Sequence, residues 1–219
     1  MIKGVIFDMD GLLIDSEPYW KMAMINVFAS VGLEMNKEKA QLTMGLRSVD
    51  VVDYWYRKEP WESKTKEIVL QEILEEVKKL VLRDGETMPG VHDAIAFFKS
   101  QGIKMALASS SPKDVIHSFV EKMGILDDLE YLRSGDQEEF GKPHPGVFIN
   151  TAKEMGWNPS ECLVFEDSVN GVIAGKAALM KVVAIPEPDS FSDPRFSIAD
   201  MKISSLGHFD NDMFQRILR

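Results

Sequence analysis

The sequence predicts an α/β fold: a Rossmann-like three-layer α/β/α core with a parallel sheet and an inserted all-helical cap. Three observations indicate this class. A buried-strand pattern near the amino terminus ends in two acids, a purely helical block follows, and strands then alternate with helices to the end of the chain. Such alternation is typical of a parallel sheet with helices on both faces.

The first predicted strand, Val5-Ile6-Phe7, leads directly into Asp8-Met9-Asp10-Gly11. Side chains two apart in an extended segment leave the same face, so we expect Asp8 and Asp10 to project together beyond the strand. Two neighbouring carboxylates repel each other and desolvate poorly, which favours a cation between them or a proton on one. An isolated pair of this kind is usually solvated, so its interpretation depends on the rest of the chain.

The block after the first strand has helical periodicity and no buried-strand pattern. Since a helical crossover needs only about a dozen or more residues, this connection is far too long for one. We therefore predict that residues 1–15 and 86–219 form the core and residues 16–85 a helical cap, which would close over a pocket. The predicted cap helices cover residues 18–31, 49–56 and 64–82, with linkers near residues 13–17 and 84–89.

From Pro89 onward, the pattern predicts the remaining strands and helices of the core. The predicted strands are residues 104–108, 131–132, 163–165, 181–185 and an edge strand at 201–203; the predicted helices are residues 91–101, 113–123, 146–155, 170–178 and 209–218.

Composition narrows the range of partners. The formal net charge of −10 argues against nucleic acid or an anionic membrane as the main partner. The single cysteine, Cys162, lies in an apolar run and is expected to be a buried structural thiol, and no internal disulfide is possible. Acidic residues occur within the first ten positions, and no apolar run reaches ~20 residues, so we expect a cytoplasmic setting with neither a signal peptide nor a membrane span. We also expect a monomer.

Polar side chains follow three of the predicted core strands: Asp8 with Asp10, Ser109, and Glu166 with Asp167. The carboxyl ends of parallel strands share one edge, so these groups should meet, with Lys142 reaching them from a Gly-Lys-Pro loop. Carboxylate oxygens suit Mg²⁺, and a lysine with amides at a strand-to-helix turn suits phosphate. An aspartate can attack phosphorus, so the combination predicts phosphoryl transfer.

These motifs resemble the haloacid dehalogenase-like superfamily of phosphohydrolases, in the branch with a helical cap between the first and second motifs. The resemblance rests on four motifs in order: Asp8-Met9-Asp10-Gly11, Ser109 after a strand, Lys142 in Gly-Lys-Pro-His-Pro, and Glu166-Asp167-Ser168 before Asn170-Gly171. The chain is most similar to bacterial phosphatases of hexitol or 2-deoxyglucose 6-phosphates, and next to β-phosphoglucomutase.

The resemblance implies a role for each motif. Asp8 would become an aspartyl phosphate, and Asp10 would protonate the leaving oxygen and then activate water. Mg²⁺ would be held by Asp8, the Asp10 carbonyl, Asp167 and, directly or indirectly, Glu166. The remaining implied phosphate or substrate contacts are Ser109, Ser110, Lys142 and, in the cap loop Gly45-Leu46-Arg47-Ser48, Arg47.

Alternatives remain open from the residues alone. Arg47 is either a substrate contact or a solvated surface charge, and Trp20 and Trp55 either line the pocket or pack the cap. The predicted function is an Mg²⁺-dependent phosphatase of small phosphorylated sugars, with a sugar phosphomutase as the alternative. A phospho-accepting receiver module is disfavoured, because it needs neither a cap nor a leaving-group acid at Asp10.

Overall fold

Six parallel strands form one sheet in the computed structural model, which describes residues 2–218 apart from the side chain of Lys37. The strands are β1 (Gly4–Phe7), β2 (Lys104–Ser109), β3 (Tyr131–Ser134), β4 (Cys162–Glu166), β5 (Lys181–Ala184) and β6 (Met201–Lys202). Their order across the sheet is β3-β2-β1-β4-β5-β6, and every neighbouring pair is parallel. The amino-terminal strand therefore lies between β2 and β4, and the predicted parallel sheet is confirmed.

Nine α-helices accompany the sheet within residues 2–218. They are α1 (Glu17–Ala29), α2 (Lys37–Gln41), α3 (Ser48–Lys58), α4 (Lys66–Asp84), α5 (Val91–Ser100), α6 (Lys113–Met123), α7 (Gly146–Glu154), α8 (Val169–Ala177) and α9 (Asn211–Ile217). All the predicted helices are present, with ends within about two residues. The short helix α2 was not predicted, because five residues are too few to show a helical period.

Both faces of the sheet are covered. Alternate residues of one strand belong to different cores: Val5 and Phe7 pack with helices α5, α6 and α9, whereas Ile6 packs with α7 and α8. This alternation is the two-residue period of a strand buried on both sides. The predicted three layers are confirmed. With both faces covered, the sheet edge at the carboxyl ends of the strands is where an active site is expected.

Helices α1 to α4 follow β1 as a purely helical segment, and α5 then leads into β2. Three of these four helices were predicted, and α2 is the addition. The two segments that lead into and out of this insertion are hydrogen-bonded to each other, with Met88 N donating to Leu13 O at 2.9 Å and Asp15 N to Glu86 O at 2.9 Å. Ile14 and Thr87 form an isolated antiparallel bridge between the same segments. We propose the division into a core of residues 1–15 and 86–219 and a cap of 16–85; Met1 and Arg219 lie outside the described residues.

Membrane insertion of a helix is not supported by the fold. Among the helices described above, none combines the length and the apolar character that a bilayer crossing requires.

Candidate active site

The catalytic candidates meet at the carboxyl ends of the three central strands. Asp8 follows β1 directly, and its amide donates a 3.0 Å hydrogen bond to Phe165 O on β4. Ser109 ends β2 and Glu166 ends β4, so the three groups stand on adjacent strands. All three are buried. Strand order alone therefore brings together residues that are far apart in the sequence.

Lys142 joins two of these acids. Its Nζ atom lies 2.7 Å from Asp8 Oδ1 and 2.5 Å from Glu166 Oε1, and it also donates to Ala108 O at 3.3 Å. The aromatic ring of Phe148 lies beneath the ammonium, 5.0 Å away. With a side chain that is only 2% exposed, Lys142 is a fixed buried cation at the floor of the site.

A carboxylate cluster surrounds this lysine. One oxygen from each of Asp8, Glu166 and Asp167 lies within 4.8 Å of the others. Burial and the nearby Glu166 raise the pKa of Asp8 to about 8, although Lys142 opposes the shift. The same two causes raise the pKa of Asp167 well above its usual value. Burial alone would lower the pKa of Lys142, but Asp8 and Glu166 hold it above its ordinary range.

The charge of this cluster fits a divalent cation. With all three carboxylates ionised, the cluster and the Lys142 ammonium would carry an excess of two negative charges in a buried place, and the raised pKa values of Asp8 and Asp167 reflect the cost of that excess. Buried charges of this kind are costly unless they are compensated. Hard carboxylate oxygens at this separation are ligands that Mg²⁺ accepts.

Two glycines give the acids the space they occupy. A Cβ atom on Gly171, in the first turn of α8, would lie 1.9 Å from the Glu166 carboxylate. A Cβ on Gly11, which has a φ of +74°, would lie 2.3 Å from Asp167 Oδ2. Both positions therefore require glycine for a steric reason, and Gly11 also for its left-handed backbone.

The carboxylate of Asp10 is held by four donors. Trp20 Nε1 and Ser16 Oγ donate to Oδ1 at 2.8 and 2.7 Å. Ser111 Oγ and Ser109 Oγ donate to Oδ2 at 2.7 and 3.3 Å. Two of these donors come from the cap side of the chain, one from the last residue of β2 and one from the loop that follows it. The orientation of Asp10 is therefore fixed from both sides.

A cavity of about 80 Å³ opens above these residues, between the strand ends and the cap. Asp8, Asp10, Ser109, Lys142 and Asp167 form its polar floor. The cap side is largely apolar and is formed by Trp20, Met24, Ala40, Met44, Leu46, Val51 and Ile73. A phosphate at the floor would therefore place the rest of a substrate under the cap.

Two further predicted contacts, Ser110 and Arg47, lie where cap and core meet. Ser110 lines the cavity, but its hydroxyl donates to the cap carbonyl of Gly45 at 2.9 Å. Arg47 Nε and Nη2 bind the Asp50 carboxylate at 2.6 and 2.9 Å, and Nη1 donates to Glu138 O at 2.8 Å. Arg47 is not among the residues that line the cavity, and its contact with substrate stays a prediction.

Sequence reasoning missed several residues of the site. Ser16 and Ser111 hold Asp10, and Glu17 and Lys21 line the cavity. Burial raises the pKa of Glu17 to about 7, with Glu187 and Asp10 adding to the shift and Lys21 opposing it. Ser16 and Trp20 are four residues apart, as are Glu17 and Lys21, and residues at this spacing share one helix face. That spacing was the signal in the sequence that could have placed them near the site. Two tryptophans were considered for the pocket. Trp20 lines the cavity, whereas Trp55 is buried and is not among the lining residues.

Comparison with known proteins gives a consistent result. The model of the haloacid dehalogenase-like hydrolase family matches residues 2–178. Hexitol phosphatase B of Escherichia coli (strain K12) is 40% identical over 206 residues, which are 94% of this chain and 93% of that protein. A phosphorylated carbohydrates phosphatase of Thermotoga maritima is 32% identical over 81% of this chain and 82% of its own length.

A solved structure shares the fold over nearly the whole chain. The crystal structure of β-phosphoglucomutase from Clostridium difficile superposes with a TM-score of 0.85 and 23% identity, over 99% of this chain and 97% of that one. At this identity the likeness describes the fold.

Proposed function

Since the chain belongs to the haloacid dehalogenase-like hydrolase family and is a phosphatase, we propose that it hydrolyses small phosphorylated sugars, hexose or hexitol phosphates, with Mg²⁺ and through an aspartyl phosphate. The observation that carries this proposal is the buried contact of Lys142 with both Asp8 and Glu166 at the floor of a cap-covered cavity. The 40% identity with a hexitol phosphatase supports the substrate class. We further propose that the enzyme works as a monomer.

The first half-reaction begins at Asp8. Its carboxylate oxygen attacks phosphorus in line, and the bond between phosphorus and the sugar oxygen breaks. Lys142 and the Ser109 hydroxyl bind the phosphoryl oxygens and compensate their charge. Asp10 gives a proton to the departing sugar oxygen, which leaves as an alcohol.

The second half-reaction reverses the role of Asp10. Its carboxylate, now ionised, takes a proton from a water molecule as that water attacks phosphorus. The bond between phosphorus and Asp8 then breaks, which releases inorganic phosphate and restores the Asp8 carboxylate. Trp20, Ser16 and Ser111 keep the Asp10 carboxyl group in one orientation during both transfers, while the single hydroxyl proton of Ser109 is donated to the phosphoryl group.

The metal site is proposed from the same carboxylates. Asp8, Asp167 and the carbonyl oxygen of Asp10 would hold Mg²⁺, and the metal would supply positive charge at the phosphoryl group. Both oxygens of Glu166 already accept hydrogen bonds, Oε1 from Lys142 and Oε2 from Ser168 N at 3.2 Å and Ser168 Oγ at 3.1 Å. We therefore propose that Glu166 acts mainly by positioning Lys142.

A panel of phosphorylated metabolites, with released phosphate as the readout, tests the proposal. We expect hexose or hexitol monophosphates to give the highest kcat/KM, with turnover that requires Mg²⁺. Asp8→Asn should abolish turnover, because an amide cannot serve as the nucleophile. Asp127→Asn, an exposed change at the opposite edge of the sheet, is the matched control and should turn over normally. Near-normal phosphate release by Asp8→Asn would exclude the covalent route.

The same panel separates a phosphatase from a phosphomutase. Supplied with β-glucose 1-phosphate and a trace of the 1,6-bisphosphate, a mutase would form glucose 6-phosphate and release little phosphate. We expect free phosphate instead. Trp20 is the neighbour of Asp10 from α1, and its indole can donate a hydrogen bond but cannot shuttle a proton at neutral pH.

A further inference from the structure

The part of the cavity that would receive the sugar carries few charges. Apart from the polar floor, its only charged lining residues within the described part of the chain are Glu17 and Lys21. Both lie on α1, one helical turn apart. The rest of the lining is uncharged and consists of Gly45, apolar side chains and the hydroxyl residues Thr43, Ser48, Ser110, Ser111 and Ser168. The charge of this region therefore depends on how Glu17 and Lys21 are balanced.

Lys21 is balanced by two carboxylates. Its Nζ atom lies 3.5 Å from Glu17 Oε2 and 3.3 Å from Glu187 Oε1, and the three side chains are 20%, 14% and 25% exposed. With all three groups ionised, the cluster carries one negative charge. With Glu17 protonated, Glu187 still neutralises Lys21. The cluster of Glu17, Lys21 and Glu187 is therefore never a net cation.

Apart from Lys21 and the floor residue Lys142, no described lysine or arginine lines the cavity. The guanidinium of Arg47 donates hydrogen bonds to both carboxylate oxygens of Asp50 and to the carbonyl oxygen of Glu138. In the wider neighbouring cavity, between α2 and the segment after β5, Arg195 pairs with Asp193. That cavity also carries the acids Glu38 and Asp189.

We infer, building on the proposed phosphatase function, that the site accepts phosphate monoesters of uncharged polyols and rejects leaving groups that carry a carboxylate or a second phosphate. The cluster of Glu17, Lys21 and Glu187 determines this specificity. Its carboxylates accept hydrogen bonds from hydroxyl groups and its ammonium donates one, so it recognises a polyol without attracting a second anion. Like charges brought together in such a pocket are strongly disfavoured.

A pair of substrates with the same carbon chain tests this inference. Sorbitol 6-phosphate and 6-phosphogluconate differ only in that one end is an alcohol in the first and a carboxylate in the second. A repulsion of a few kcal/mol at this range corresponds to a preference of about 10- to 100-fold for the alcohol in kcat/KM. Wild-type values for the two compounds within about threefold of each other would overturn the inference.

Charge variants connect the preference to the cluster. Glu17→Gln/Glu187→Gln leaves Lys21 as a net cation and should shift the preference toward 6-phosphogluconate by about tenfold or more. Lys21→Met should shift it the other way. Glu130→Gln, which removes an acid paired with Lys104 at the opposite edge of the sheet, should leave the ratio unchanged. If the double variant does not fold, Glu187→Gln alone should shift the ratio in the same direction; an unchanged ratio in the folded variants would overturn the inference.

Failure of the proposed phosphatase function would give a different result from failure of this inference about specificity. An enzyme that hydrolyses an aryl phosphate but neither six-carbon compound would not be a sugar phosphatase. The two compounds would then be compared as inhibitors of aryl phosphate hydrolysis. Tighter inhibition by sorbitol 6-phosphate would still support selection for an uncharged group, and equal or tighter inhibition by 6-phosphogluconate would overturn it.

Discussion

The indole Nε1 of Trp20 donates a 2.8 Å hydrogen bond to the Oδ1 atom of Asp10. Trp20 lies in the first turn of α1, at the start of the insertion, and Asp10 lies two residues beyond the proposed nucleophile. An indole N–H is a donor only, so the contact is maintained whenever that oxygen is available as an acceptor. The insertion is thereby connected directly to the group proposed to move protons.

Trp20→Phe tests this connection, because it keeps an aromatic ring and removes the donor. A hydrogen bond to a charged group contributes roughly 1.5–3 kcal/mol, so we expect kcat/KM for a sugar phosphate to fall about 10- to 100-fold. Hydrolysis of an aryl phosphate should fall much less, since its leaving group needs little help from a general acid. The measurement is kcat/KM on both substrates for each protein.

Trp55→Phe is the matched control. Trp55 is also a cap tryptophan, but its buried Nε1 has no hydrogen-bond partner among the described residues. Removing it should therefore leave both activities near those of the wild type. In addition, Trp20→Phe combined with Asp10→Asn should be no worse than Asp10→Asn alone; a further loss would show that Trp20 acts through something other than Asp10.

Much of the fold could be predicted because most of its strands and helices have recognisable local sequence patterns. Short apolar runs that end in polar residues indicated the strands, and glycine and proline marked most helix ends. The rule that parallel strands share a carboxyl edge then placed Asp8, Ser109 and Glu166 together. Helix α2 was not predicted because it is too short to show a helical hydrophobic period.

The finer parts of the site could not be predicted, since they depend on which side chains approach after folding. Lys21 and Glu187 are 166 positions apart and meet only because the segment after β5 reaches α1. The guanidinium of Arg47 could equally have pointed into the cavity, and only its contacts with Asp50 and Glu138 O show where it lies. No sequence periodicity encodes such pairings.

Arg47 is expected to hold the cap against the core. It connects α3 with the loop after β3, and its guanidinium is occupied by protein acceptors. Arg47→Ala should therefore lower kcat/KM about tenfold for sugar and aryl phosphates alike. Arg47→Lys should not restore activity, because an ammonium cannot make the forked contact with Asp50.

The control for Arg47 is Arg57→Ala. Arg57 is exposed, and its Nε donates within its own helix, to Asp53 O at 3.2 Å. That variant should behave as the wild type on both substrates. A loss confined to sugar phosphates in Arg47→Ala would instead place Arg47 against the substrate.

Asp167→Asn should separate stability from activity. Burial, Glu166 and Asp8 raise the pKa of Asp167, so at neutral pH folding must either bury its charge or add a proton to it. Asparagine has neither cost, so the metal-free protein should become more stable, by roughly 1–2 kcal/mol. Phosphatase activity and its response to Mg²⁺ should be lost, because a proposed ligand is removed. Urea unfolding in EDTA measures the first effect, and a Mg²⁺ titration of activity measures the second.

The matched variant, Asp200→Asn, should have the opposite effect on stability. Partial burial alone would raise the pKa of Asp200, but Lys176, the Val182 amide and Lys181 together lower it. Its charge is therefore stabilising, and its removal should destabilise the fold while activity is retained. If Asp167→Asn were destabilising to the same degree, the charge excess at the site would not be a cost in the metal-free protein.

Glu17 should make stability depend on pH. Burial, with help from Glu187 and Asp10 and against Lys21, raises its pKa to about 7 from an ordinary value of 4.5. The folded state therefore binds this proton more tightly than the unfolded state does. The resulting stability is fully present below about pH 4.5 and is lost as the pH rises through 7.

Glu17→Gln removes this titration and resembles the protonated acid. Relative to the wild type, the variant should gain stability as the pH rises from 5 to about 7 and show little further gain at pH 8. The gain should be at most about 3 kcal/mol, since each pKa unit corresponds to about 1.4 kcal/mol. The measurement is urea unfolding of both proteins at pH 5, 6, 7 and 8 in the same buffer with EDTA. The control variant Glu130→Gln, at the opposite edge of the sheet, should show the same dependence of unfolding free energy on pH as the wild type. If the Glu17→Gln and wild-type curves ran parallel over this range, the Glu17 carboxyl group would titrate alike in the folded and unfolded states, and its burial would not be the cause of any pH effect.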